Sequence, residues 1–387
     1  MYKVDSKKKY DIQLVLPNFG ERLRKLLISK KKNVVYIKNE FDNSTFRYRA
    51  VNFEESMEYS KKFNVTYFLT DEIPEIIRYI KRMDIIVMQR TSWNFNVDRL
   101  IHFAHCNNIN VVYDVDDLIY HHKYAPEYMN NISNNDTQID VRFWLGVTTG
   151  YEVVAEKCDA YISTTPELSK NLKNDFGKMV FTIPNFYNSE QLEESEYAIK
   201  KRKKIKNKFM IGYFSGSPSH KNDFGVCENE LADLLEKYDN IYLKIVGFLD
   251  LTPRLQKLQN SGKVIFEEFV PYQELQSKIA SVDLNIIPLA DNRFNDCKSE
   301  LKFFEAGLVK VPSCASPASI YKKVNVDNKD IIFCEIGQWF NNIEKIYLDT
   351  KLLNYIAENA YKKSLKQYSP KNMCKAIEDV FDKIIVI

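Results

Sequence analysis

Little in this chain of 387 residues points to a disulfide framework, a bilayer or a nucleic acid. The seven cysteines are scattered and odd in number, and no Cys-x-x-Cys pair occurs. That pattern reads as reduced, buried thiols of a cytoplasmic protein. His102 and His105 share a helix face with Cys106, but no fourth ligand at metal spacing follows. No apolar run reaches the roughly 18 residues that a bilayer demands. The start, Met1 to Tyr10, is lysine-rich without an apolar segment after it, so no signal peptide is expected. Charge of one sign is also missing. With 55 basic and 52 acidic residues the net charge is only +3, which argues against bulk nucleic-acid binding. No short-period repeat appears.

What is present is a globular composition, 45% hydrophobic with 24 Tyr and 24 Phe, long enough for two cores. Short apolar runs alternate with helical stretches, the pattern of parallel βαβ units. Strands are expected over Val34–Lys38, Val65–Leu69, Ile85–Gln89, Val111–Asp114, Ala160–Ser163 and Val180–Ile183, with an extra edge strand over Ile12–Leu16. Helices are expected between them, including Phe53–Phe63 and Ile73–Arg82. Seven of the nine residues from Lys200 to Lys208 are basic. Such a self-repelling stretch suits an interdomain linker, or a patch that meets a membrane surface. The rhythm then restarts over Phe209–Phe214, Ile241–Val246, Val264–Phe266, Leu284–Pro288, Val311–Ala315 and Ile331–Cys334, and two helices close the chain. The expected division is an α/β domain over 1–195, a basic linker over 196–208, a second α/β domain over 209–370 and a terminal helix over 371–387.

Three stretches carry chemistry. The first is Lys298-Ser299-Glu300-Leu301-Lys302-Phe303-Phe304-Glu305-Ala306-Gly307, followed by Val311-Pro312-Ser313-Cys314. It reads as a polar loop, a helix and a strand. The amides and dipole of a helix N-terminus attract anions, and Lys298, Ser299, Leu301 and Lys302 stand at that end. Glu305 lies two turns in, on the face of Lys298 and Lys302. Cations for a pyrophosphate and a carboxylate for ribose suit a nucleotide diphosphate. The second stretch, Tyr213-Phe214-Ser215-Gly216-Ser217-Pro218-Ser219-His220-Lys221, runs from a strand through a Gly/Ser loop into a helix. Gly216 and Ser217 let backbone amides approach a phosphate, and His220 and Lys221 neutralise it. It lacks the Gly-Lys-Ser/Thr ending of a Walker loop. The third, Val111-Val112-Tyr113-Asp114-Val115-Asp116-Asp117, gathers three carboxylates at a strand end. They hold a metal through Asp114 and Asp116, line a cleft through Asp114 and Asp117, or cap a helix.

The Glu305 helix and its Pro312-started strand resemble the donor-site helix of retaining GT-B glycosyltransferases, family 4 and relatives. The likeness spans Phe209 to about Ser316, and reaches the first domain only through its rhythm and the Asp114 turn. It implies two Rossmann-like domains facing each other across a cleft, with a C-terminal helix returning to the first. It also implies that Glu305 binds ribose, that the Gly216 loop binds phosphates, and that Gly247 and the Glu268–Pro271 turn, with Val270, lie against the base. Arg90 and Asp117, with Arg47 and Asp296, then face the sugar or acceptor, and Asp114, Lys221 and Lys298 are the catalytic expectation. One departure stands out: where the family carries a glutamate that touches the sugar, this chain has Cys297.

The expectation is a transferase that moves sugar from a nucleotide-diphosphate sugar to a glycan, lipid-linked or protein acceptor, with retention and without metal or other cofactor. Cys297 keeps a non-catalytic sugar-binding partner subunit open. Asp114 and Asp116 keep open a metal-dependent GT-A-like enzyme.

Overall fold

The computed structural model describes residues 16–41, 45–132, 138–202, 207–216 and 221–387. Strands β1 (Lys32–Lys38), β2 (Phe63–Leu69), β3 (Ile85–Gln89), β4 (Asn110–Val115), β5 (Ala160–Ser163) and β6 (Met179–Thr182) form one parallel sheet in the order β2-β1-β3-β4-β5-β6. Strands β7 (Phe209–Ser215), β8 (Ile241–Gly247), β9 (Val264–Glu267), β10 (Leu284–Ile287), β11 (Ser313–Ala315) and β12 (Ile332–Phe333) form a second, in the order β12-β11-β10-β7-β8-β9. Helices cover both faces of each sheet, so the inner strands are buried along their length and read as unbroken apolar runs. The two Rossmann-like halves are therefore present. The edge strand expected over Ile12–Leu16 lies outside the described residues except for Leu16, which is not in a strand.

Two expected helices are shorter. The one over Phe53–Phe63 spans Asn52–Glu58, because Phe63 opens β2 beside Lys32. The one over Ile73–Arg82 breaks after Ile76 into a 3₁₀ stretch, where Tyr79 leaves helical geometry. A one-turn π-helix over Arg47–Val51, which no period in the sequence signals, precedes Asn52.

The terminal helix, Pro370–Ile385, returns to the first lobe, as expected. Ser56 Oγ donates to the Pro370 carbonyl at 2.7 Å, Asn110 donates to the Ile384 carbonyl at 2.6 Å, and the Phe63 and Phe381 rings pack edge to face. The described start of the basic stretch is built into the fold. Lys200 and Lys201 lie in the last turn of the Ser189–Lys201 helix, where cations complement the helix dipole. That helix packs against the Tyr272–Ala280 helix of the second lobe, with Gln276 donating to Ser195 Oγ. Arg202 donates to the Val282 carbonyl and faces Asp283 at 3.8 Å. Residues 203–206 lie outside the described set.

Candidate functional site

The C-terminal ends of both sheets face one another, the usual place for a ligand crevice in parallel α/β sheets. In the second lobe β7 ends at Ser215, and the exposed Gly216 turns out of the sheet. Ser217 and His220 lie outside the described residues, and the backbone resumes at the Lys221–Gly225 helix. Gly247 closes β8 at φ +104°, and a Cβ there would stand 1.9 Å from the Ser215 carbonyl. Only glycine allows that approach, which brings the Phe248 amide to the same carbonyl at 3.2 Å. Beyond it the rings of Phe248 and Phe269 lie 5.7 Å apart, and Val270 packs against the apolar cluster that includes Phe214 and Val246.

No side chain caps the N-terminus of the Leu301–Leu308 helix. The Lys298 ammonium stands over Phe294 at 4.6 Å, and Ser299 Oγ accepts from Asn185 of the first lobe at 3.1 Å. Leu301 packs against the apolar core behind the helix. Lys302 is half-buried over the Tyr213 ring; burial pulls its ammonium down to about 8, helped by Lys298 and opposed by Asp223 and Glu305. Glu305 is 7% exposed, and burial raises its carboxyl to about 7 against the pull of Tyr48, Lys302 and Arg47. Tyr48 of the first lobe donates to Glu305 Oε1 at 2.8 Å, and Gln191 donates to Tyr48 Oη at 3.1 Å.

Across the crevice the Asp turn divides by role. Asp114 is fully buried, and Arg49 takes both of its oxygens at 2.9 and 2.8 Å. Arg49 also donates to the Ile183 carbonyl at 2.8 Å. The expectation that Asp114 touches sugar, acceptor or metal is therefore corrected: it neutralises a buried guanidinium, and no oxygen is left to face the cleft. Asp116 accepts from Thr45 at 3.0 Å and faces Arg90 at 3.7 Å. Asp117 is half-buried; burial raises its carboxyl, and Lys298 and Arg90 oppose the rise. Arg90 holds a left-handed φ of +46°, with its amide donating to the Asp114 carbonyl at 2.8 Å. Asp117 and Arg90 thus share one electrostatic field with Lys298.

Two further expectations shift. Arg47 is wholly buried between the lobes; it stacks on Tyr272 and donates to Asn188 at 2.8 Å and Glu190 at 3.2 Å, and burial lowers it to about 10. It is an interlobe strut through Nη2 and the ring contact, while Nε and Nη1 have no partner among the described residues. Asp296 accepts from the Ser319 amide at 3.1 Å at the start of the Ser319–Val324 helix. It also lines an interlobe cavity of about 240 Å³ with Glu167, Lys170, Arg293 and Cys297.

Cys297 is buried, and its thiol is raised to about 12 by burial and Asp117. Its carbonyl accepts from Thr165 at 2.9 Å, and Asn171 donates to its sulfur at 3.4 Å. Both partners belong to the first lobe, and Cys297 also lines the interlobe cavity beside Asp296.

No family model and no curated protein matches the sequence. Solved structures do match. Anabaena HepE in complex with UDP and glucose superposes with a TM-score of 0.60 at 14% identity, over 91% of this chain and 100% of that one. Sucrose-phosphate synthase from Thermosynechococcus elongatus gives 0.61 at 12%, over 92% and 100%. A glycosyltransferase from Rickettsia africae gives 0.62 at 13%, over 92% and 99%. The fold is GT-B.

On the GT-B frame the two sheets, the facing strand ends and the returning helix fall into one plan. A GT-A-like reading is overturned, because the chain builds two parallel Rossmann-like sheets and Asp114 is spent on Arg49. Sequence reasoning missed Tyr48 and Asn185 as partners of the Glu305 helix. Tyr48 stood in view between Arg47 and Arg49, but its partner lies 257 residues away. The Ile183-Pro184-Asn185 corner after β6 was the other available signal.

Proposed function

We propose that this GT-B chain is a glycosyltransferase that moves sugar from a nucleotide-diphosphate sugar to a glycan, lipid-linked or protein acceptor. One observation supports the reading: the uncapped Leu301–Leu308 helix carries Lys302 over the Tyr213 ring of the second sheet and the buried Glu305 two turns on, and the first lobe meets it through Asn185 at Ser299 and Tyr48 at Glu305. Cations beside an uncapped helix suit a diphosphate, and a buried carboxylate two turns on suits ribose hydroxyls. In this reading Gly216, Ser217, His220, Ser299, Leu301 and Lys302 hold the donor's phosphates. Gly247 and Val270 lie against the base, and Glu305 binds ribose with the oxygen that Tyr48 leaves.

Departure of the nucleotide diphosphate builds negative charge, which Lys298 and Lys221 neutralise most in the transition state. The acceptor proton passes to a donor phosphate oxygen as the new glycosidic bond forms on the same face, giving retention without a metal or a protein base. Arg90, Asp117 and Asp296 orient sugar and acceptor. HepE was solved with UDP and glucose, so UDP-glucose heads the list of donors to test. Among the described residues no helix is long and apolar enough to cross a membrane. A lipid-linked acceptor would therefore be met at the surface, with the Lys200–Lys208 block as the contact.

A sugar-binding partner without transfer is the second reading, favoured by Cys297, where a sugar-touching glutamate is expected. Hydrolysis of UDP-, GDP- and dTDP-sugars, with and without EDTA, separates the two. Turnover of one donor that survives EDTA supports a metal-independent transferase. Tight nucleotide binding without any turnover supports the partner subunit.

A further inference from the structure

His121, His122 and Glu152 bring one ligand atom each within 4.8 Å of one another. His121 and His122 follow the Asp turn and open a short 3₁₀ stretch, His122–Tyr124. Glu152 comes from the long Gln138–Lys157 helix. His121 Nε2 stands 3.3 Å from Glu152 Oε1, and His122 Nδ1 stands 2.5 Å from Oε2. The His122 amide also donates to Oε2 at 2.9 Å, which fixes the carboxylate. We propose that these three side chains form a zinc site that fastens the segment after β4 to the Gln138–Lys157 helix.

The donor set selects the ion. Two imidazole nitrogens and one carboxylate suit Zn²⁺, whereas Mg²⁺ and Ca²⁺ want oxygen throughout. His121 and Glu152 are 18% and 12% exposed, while His122 is 54% exposed. The open side leaves room for water as a fourth ligand. The charges around the cluster are already settled. Lys123 pairs with Asp175, which also accepts from Tyr120 and Tyr124, so neither competes for the site. Loading moves the His121 proton from Nε2 to Nδ1, and the 3.3 Å contact from the Lys123 amide to Nδ1 is given up. The site's role is to brace the segment after β4, which carries Asp116 and Asp117.

The surface pair His102 and Cys106, whose sulfur and Nε2 lie 3.7 Å apart, is the competing place for a soft metal. The test titrates untagged full-length chain with ZnCl₂ and CoCl₂. The expected result is one saturable equivalent of Zn²⁺, a tetrahedral Co²⁺ visible spectrum without a thiolate charge-transfer band, and a raised melting temperature. His121→Gln and Glu152→Gln each weaken Zn²⁺ binding by about tenfold or more, and Cys106→Ser leaves it unchanged. Circular dichroism checks that the variants fold, and the more exposed His122→Gln repeats the measurement if His121→Gln does not. No saturable Zn²⁺ binding would mean a hydrogen-bonded cluster only and would overturn the proposal. So would binding that both substitutions spare and Cys106→Ser abolishes.

Discussion

The Tyr48 hydroxyl and Glu305 Oε1 lie 2.8 Å apart, joining the first lobe to the helix that lines the proposed donor site. Both residues are buried, and Gln191 donates to the same hydroxyl from the Ser189–Lys201 helix. Tyr48→Phe removes the hydroxyl that donates to Oε1 while keeping the ring against Phe304. The expected loss is about 1–3 kcal/mol of stability, because a buried acceptor is left without a partner. Urea unfolding of the two proteins measures it; equal midpoints would mean that water replaces the hydroxyl.

Glu305→Gln tests the ribose assignment. A carboxylate that accepts from ribose hydroxyls contributes on the order of 1.5–3 kcal/mol per charge-assisted bond. Calorimetry with UDP, GDP and dTDP is expected to show weaker binding for whichever nucleotide the wild type prefers. Unchanged affinity for all three would remove the ribose role.

Glu305 also sets a pH dependence. Its carboxyl is raised from 4.5 to about 7, chiefly by burial, so between those values the folded chain holds a proton that the unfolded chain releases. Stability from this group is therefore fully present below the unfolded value and declines as pH rises through the folded one. The loss is bounded at about 3 kcal/mol, flat above pH ~7.5. Urea midpoints at pH 5 and 8 are expected to converge in Glu305→Gln relative to wild type. An identical pH slope in the two proteins would place the raised group elsewhere.

Lys298→Ala and Lys221→Ala are expected to lower turnover on the order of a hundredfold with a smaller change in KM, because leaving-group charge grows in the transition state. Lys302, drawn down to about 8 mainly by burial, must be protonated to meet a diphosphate. Donor affinity should therefore fall as pH passes ~8, and Lys302→Gln should flatten that fall. A loss confined to KM for Lys298→Ala would reassign it to uniform binding.

The strands were legible because both sheets are covered on both faces, which makes runs such as Ile85–Gln89 and Phe209–Ser215 wholly buried. The Glu305 helix was legible from local spacing alone. What stayed hidden depends on distant partners. A carboxylate at a strand end looks catalytic until its charge is matched, and Arg49, 65 residues from Asp114, matches it. Arg47 likewise reads as a cleft cation, yet Asn188 and Tyr272 enclose it. The basic stretch reads as solvated because local charge is all that a window shows, whereas Arg202 faces Asp283 across the fold.

Asp114→Asn separates the structural role from any chemical one. Removing one partner of a buried pair leaves the Arg49 charge uncompensated, at a cost of about 3–5 kcal/mol. A lowered melting temperature with unchanged kcat in the surviving folded fraction is the expected result. Full stability with lost turnover would return Asp114 to the chemistry.

Cys297→Glu puts back the residue that the GT-B resemblance expects at this place. In the structure the side chain is buried at the edge of the interlobe cavity, with Asn171 at its sulfur and the half-buried Asp117 in its field. A carboxylate there is desolvated and repelled, so its pKa rises and the interlobe contact weakens, costing about 1–3 kcal/mol. Donor hydrolysis is expected to stay level or fall, since the new group does not reach a sugar beside Lys298. Differential scanning calorimetry and the donor panel together decide the matter. A gain in turnover with unchanged stability would show that position 297 meets substrate after all, and that the contacts to Thr165 and Asn171 open when the donor binds. It would also favour a chain whose ordinary activity is held low by the missing carboxylate. A loss of stability without gain leaves the leaving-group chemistry to Lys298, Lys302 and the helix N-terminus.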